Sequence, residues 1–105
     1  MSLPDLTPEQ RQAALAKAKE VRLARSALLR EVRTGRKTAA DVLAQADSDP
    51  VAGKLKVSSL LKSIPGVGPI SARRLMERLD IIPNRRCRGL GPKQRNLLLE
   101  ELTPR

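Results

Sequence analysis

Two short stretches hold the residue types that can grip an anion. Gly66-Val67-Gly68 is a Gly-x-Gly turn just before a helical stretch, and Arg88-Gly89-Leu90-Gly91-Pro92-Lys93 presents the same parts with more charge. Glycine takes positive φ without penalty and lets another backbone come close. Such a turn leaves amide N–H groups at the start of the following helix, where the macrodipole is positive, a setting that suits one phosphate and needs no side chain. For Gly66-Val67-Gly68, a tight corner with packing glycines and nothing bound explains the residues equally well. Around the second turn Arg85, Arg86, Arg88, Lys93 and Arg95 occur with no acid between them. A basic surface loop of no special role is the alternative there. Arginines at a helix N-terminus oppose the dipole, however, and a bound phosphate removes that conflict.

The rest of the composition excludes most catalytic chemistry. The chain has 105 residues, no His and one Cys, so neither a Cys/His zinc site nor a His-dependent nucleophile pair can be built, and no cofactor is expected. Cys87, between Arg86 and Arg88, reads as a small residue fitting its loop, with a favoured thiolate as the alternative. Asp41, Asp47 and Asp49 read as helix-end residues, and no carboxylate pair is set up for acid/base work. Phe, Tyr and Trp are absent, which removes the stacking platforms used by many single-strand binders. No apolar run approaches the roughly 20 residues of a membrane span. The start, Met1-Ser2-Leu3-Pro4-Asp5, shows no secretory pattern, so a soluble cytoplasmic protein is expected. Net charge is +10, unevenly spread: residues 1–50 hold nine basic and seven acidic side chains, residues 51–105 twelve and four.

The elements that must position these turns are helical. Ala, Leu, Lys, Glu and Arg dominate, and no stretch alternates apolar and polar residues long enough for a strand, so the fold class is all-α. One domain, 1–105, is expected. A long first helix spans 7–35, with Thr7 as N-cap, Pro8 at the first helical position, Gln10 completing a capping box and Gly35 as the stop. Ala14, Ala18, Val21, Ala24, Leu28 and Val32 form its apolar stripe, and its N-terminal turns should project from the body. A second helix covers 38–47, with Thr38 and Asp41 as its capping pair and Val42, Leu43 and Ala46 inward. Ser48-Asp49-Pro50 breaks the pattern. A short helix then carries Val57, Leu60 and Leu61, and another runs from Ile70 to Leu79 with Ile70, Leu75, Met76 and Leu79 as apolar positions. Pro92 opens the last helix, which buries Leu98 and Leu102.

Leu61-Lys62-Ser63-Ile64-Pro65-Gly66-Val67-Gly68-Pro69-Ile70-Ser71-Ala72 resembles the helix-hairpin-helix motif of DNA-binding proteins. A repair glycosylase of that class would carry a catalytic Lys two positions after the second glycine and an Asp about eighteen further on; Ile70 and Arg88 stand there. Residues 54–105 look like the helix-two-turn-helix arrangement shared by ribosomal protein S13 and the formamidopyrimidine-type glycosylases. More narrowly, Leu60-Leu61, Ile64-Pro65, Val67-Gly68, Arg85-Arg86, Arg88-Gly89-Leu90-Gly91 and Gln94-Arg95 are similar to the actinobacterial integration host factor family in its streptomycete form. That likeness extends back over the first helix.

The resemblance implies a monomeric nucleoid-associated protein that binds double-stranded DNA with little sequence preference, bends it, and affects supercoiling and chromosome condensation. The positions it marks for DNA are Pro65, the backbone of Gly66, Val67 and Gly68, and Arg85, Arg86 and Arg88; Pro69 and Ser71 beside the first turn and Gly89, Gly91 and Lys93 at the second complete the expected DNA-binding set. Amides would fix the phosphates while arginines enter a minor groove, reading shape more than bases. Leu90 or Pro65 could serve as an intercalating wedge, but bending by charge neutralisation fits these residues better. The rival reading is an S13-like ribosomal RNA binder, against which stands the lack of a long basic extension after Glu100-Glu101-Leu102-Thr103-Pro104-Arg105. An enzyme, a membrane partner and a small-molecule substrate are not expected.

Overall fold

The computed structural model describes residues 5–102. The readings that rest on Met1 to Pro4 and on Thr103 to Arg105 lie outside the described residues. The first helix, α1 (Pro8–Arg33), starts where its capping box demands: Thr7 Oγ1 accepts from the Gln10 N–H at 3.1 Å, and Gln10 Oε1 accepts from the Thr7 N–H at 2.9 Å. It ends at Gly35, whose φ of +82° only glycine adopts cheaply. At 1.5 Å per residue its 26 residues span about 39 Å. The expected stripe is buried only in its second half: Leu28 and Val32 enter the core and Val21 and Ala24 are half-buried, while every residue from Pro8 to Glu20 is exposed. Ala14 and Ala18 therefore cover nothing, because a stripe of methyl groups offers too little area to dock.

Next comes α2 (Ala39–Gln45), capped by reciprocal Thr38 and Asp41 bonds of 3.0 Å each. It buries Val42 and Leu43, with Ala46 just past its end. The expected break at Ser48-Asp49-Pro50 is instead the start of a further helix, α3 (Pro50–Lys54): Asp49 is its N-cap, accepting from the Val51 N–H at 3.0 Å, and Pro50 its first residue. Gly53 lies within it because a Cβ there would collide with the backbone carbonyl oxygen of Ala46.

Helix α4 (Val57–Ser63) buries Val57, Leu60 and Leu61 as expected. In α5 (Pro69–Arg78) the apolar face is corrected: Ala72 and Met76 are buried, Leu75 and the following Leu79 half-buried, and Ile70 is 60% exposed, because two positions before Ala72 it falls roughly 200° round the helix from the buried face. Asp80 closes α5 at φ +56°, a left-handed position that Asp tolerates better than most residues. A 3₁₀ turn (Cys87–Gly89) leads into α6 (Pro92–Leu102), which buries Leu98 and half-buries Leu102. Among the described residues there is no strand, but one antiparallel bridge joins Lys56 to Arg86.

A single aliphatic core runs from Leu28 of α1 to Leu98 of α6 and takes in Leu43, Leu55, Leu60 and Cys87. Helix α1 packs on α3 and α4, α2 on α3 and α6, α4 on α5, and α3 on the 3₁₀ turn. The exposed half of α1 stretches the molecule to 54 × 33 × 26 Å, with a radius of gyration of 16.1 Å against roughly 13 Å for a compact chain of this length.

Candidate nucleic-acid interface

The first turn is built by Ile64, Pro65 and Gly66. Gly66 takes φ +86°, and the Val67 N–H turns back to Ile64 O at 3.0 Å. That bond removes the Val67 amide from the expected cradle, and its side chain packs on the core. Gly68 has φ −90° and serves as the N-cap of α5, where Pro69 has no N–H and no side chain caps Ile70 or Ser71. These opening amides are the kind that accept an anion. A Cβ added at Gly66 or Gly68 would meet no atom within 4 Å, so the space over the turn is open. Pro65, Pro69 and Ser71 are exposed around it. Gly68 thus serves openness rather than positive φ.

The second turn has different geometry from the first. Neither Gly89 nor Gly91 has positive φ. The chain enters as an extended segment paired with the start of α4: Val57 N–H donates to Arg85 O at 3.0 Å and Cys87 N–H to Leu55 O at 2.8 Å. Lys54-Leu55-Lys56 and Arg86-Cys87-Arg88 therefore lie together, each with a buried centre, Leu55 and Cys87, between two exposed cations. Gln94 then ties the second turn to the end of α5. Its Oε1 accepts from the Gly91 N–H at 3.2 Å and its Nε2 donates to Asp80 O at 2.7 Å, which ties the start of α6 to the end of α5. Gly91 is half-buried in this arrangement, and Gly89 and Lys93 are exposed.

The three arginines diverge. Arg85 is half-buried and donates from Nη1 to Gly89 O at 3.3 Å; Gly89 leaves room for it, since a Cβ there would lie 3.2 Å from Arg85 Cδ. Arg86 donates from Nη1 to Lys54 O at 3.3 Å and faces a cleft of about 220 Å³ shared with Arg25, Lys54, Lys56 and Ser59. Arg88 lies on another cleft, of about 330 Å³, with Asp47, Pro92, Arg95 and Asn96. Arg95 is the exception to the acid-free run, because Asp47 clasps it in two bonds of 2.9 and 3.2 Å. The bonds from Arg95, and its charge, hold the Asp47 carboxyl below the usual carboxylate range.

Two other expectations are resolved by burial. Leu90 is 6% exposed and belongs to the core, so it cannot act as a wedge. Cys87 is fully buried, and desolvation pushes its thiol up to about 11, which settles it as a packing residue rather than a reactive thiolate. Arg25, Lys54, Lys56 and Ser59 reach the cleft at Arg86 from three separate elements, so no local sequence pattern joins all four. The alternation in Lys54-Leu55-Lys56 was the available signal.

Residues 32–102 match the S13-like H2TH domain family. The integration host factor of Mycobacterium tuberculosis is 50% identical over 101 residues, covering 96% of this chain and 96% of that protein. The integration host factor of Streptomyces coelicolor is 47% identical over 94 residues, covering 90% and 88%. Among solved structures, sIHF bound to an 8bp palindromic DNA matches with a TM-score of 0.81 and 39% identity, covering 84% of this chain and 99% of that one.

Proposed function

The chain belongs to the integration host factor family and carries its S13-like H2TH domain, and from that premise we propose that it is a nucleoid-associated protein that binds double-stranded DNA through backbone and minor-groove contacts. The observation that carries this reading is the open first turn. At the amino end of α5 the opening amides lack a side-chain cap and the space above Gly66 and Gly68 is clear. A phosphate held there fixes the protein on one strand, and the exposed Arg86 and Arg88 supply the charge that reaches the rest of the duplex. Amides and guanidinium groups contact phosphates whatever the bases, so the selectivity is for groove shape and deformability.

The protein acts as a monomer and bends DNA by one-sided charge neutralisation, which in condensed chromosomal DNA affects supercoiling. The burial of Leu90 removes one of the two wedge candidates, and Pro65, the other, is exposed. The reading is of a binding protein and not an enzyme: Ile70 and Arg88 stand where a glycosylase of this motif class would need Lys and Asp. Its place is the nucleoid, and no helix among the described residues is long and apolar enough to cross a membrane.

A gel shift comparing duplex DNA with duplex RNA tests the reading. The unsubstituted protein should prefer DNA, and Arg85→Ala/Arg86→Ala/Arg88→Ala should lose most of its DNA affinity while keeping its helical circular dichroism. Full-strength binding by a folded triple variant would show the interface to be elsewhere, and a preference for duplex RNA would favour the ribosomal reading.

A further inference from the structure

The cleft between α1, α3 and α4 gathers four cations, Arg25, Lys54, Lys56 and Arg86, around a space of about 220 Å³, with Ser59 on its wall and no carboxylate among its lining residues. The cations are not brought together by chance flexibility of the chain. Lys54 and Lys56 flank Leu55, which is 1% exposed and anchors them in the core. Arg86 is held alongside by the antiparallel bridge to Lys56 and by its bond to Lys54 O. Arg25 comes from α1, which packs against both α3 and α4. Like charges facing one small space repel one another, and the arrangement is favourable once an anion enters.

We infer that this cleft is a third phosphate-binding site, additional to the two turns, and that it receives a backbone phosphate of the same DNA duplex. The inference rests on the DNA-binding reading above. Arg86 links the two regions: its backbone leads into the second turn while its side chain faces the cleft. The strand held at the turn continues along Arg86 to Lys56 and Arg25, so the second half of α1 becomes part of the interface as well as part of the core. Ser59 is half-buried and supplies a hydroxyl that can donate to a phosphate oxygen.

The test compares the full chain with Arg25→Ala/Lys56→Ala and with a control, Arg11→Ala/Lys17→Ala, that removes the same charge from the exposed first half of α1. DNA affinity is measured across salt concentrations, and thermal unfolding checks that each variant is folded. Loss of one phosphate contact should reduce the slope of log affinity against log salt by about 1, which at 0.15 M amounts to roughly sevenfold weaker binding relative to a 1 M limit. The control should keep the slope of the unsubstituted protein. If the cleft variant also keeps it, the third site is wrong while DNA binding stands; if the unsubstituted protein does not bind duplex DNA, both fall. Inorganic pyrophosphate forms a second arm. Should it shift the Lys56 and Ser59 amide resonances of the unsubstituted protein while the cleft variant binds DNA normally, the cleft serves free oligophosphate, and the assignment to DNA is overturned.

Discussion

At the scale of single residues, Gly66 and Gly68 separate folding from binding. Gly66 sits at φ +86°, so Gly66→Ala should cost about 1–2 kcal/mol of stability, read from denaturant unfolding. Gly68 sits at φ −90° with open space where a methyl group would go, so Gly68→Ala should leave the unfolding midpoint unchanged. The methyl would instead stand over the amides and weaken DNA binding severalfold; unchanged affinity would argue that no phosphate lies there. Cys87 makes the opposite case, a residue among arginines that acts only through packing. Its folded thiol titrates near 11 against 9.0 for an ordinary thiol. The folded value is the higher one, so the contribution of about 2–3 kcal/mol is intact below pH 9 and disappears between about 9 and 11. Chemical unfolding measured at pH 7, 9 and 10.5 should show that decline, and a thiol reagent at pH 8 should label native protein far more slowly than unfolded chain.

At the scale of elements, the two capping boxes look alike in sequence and differ in what they hold. Thr38→Ala should destabilise the whole protein by about 1 kcal/mol, because α2 carries Val42 and Leu43 into the core. Thr7→Ala should raise hydrogen exchange in the exposed first turns of α1 and leave the global midpoint in place, since residues 8–20 are all exposed. Both boxes and the buried faces of α2 and α4 were legible because each depends on residues three or four apart. What was not legible depends on residues far apart or on signals with two meanings. Asp49-Pro50 marks a break and a helix start equally well, and the burial of Ala52 and Gly53 against distant elements is not visible in the local sequence. Asp47 meets Arg95 across 48 positions, so a run without acids in the chain has one beside it in space. Arg86 and Arg88 are near neighbours in sequence but line different clefts, because the chain changes from extended pairing to a 3₁₀ turn at Cys87.

At the scale of the whole molecule, most of the net charge of +10 comes from residues 51–105, where twelve basic side chains meet four acidic ones. If five to seven phosphates are neutralised, log affinity should fall against log salt with a slope of about −5 to −6. A titration from 50 to 200 mM salt with almost no weakening would refute that electrostatic account. The paired triplets Lys54-Leu55-Lys56 and Arg86-Cys87-Arg88 constrain how such a surface can change. Their buried and exposed positions alternate, so inserting or deleting one residue within either would turn its cations into the core and its apolar side chain to solvent. Substitutions among these cations cost little in folding, whereas a change in chain length there would damage core and interface together. The exposed positions of these segments can therefore be changed without unfolding the chain, whereas their length is tightly limited.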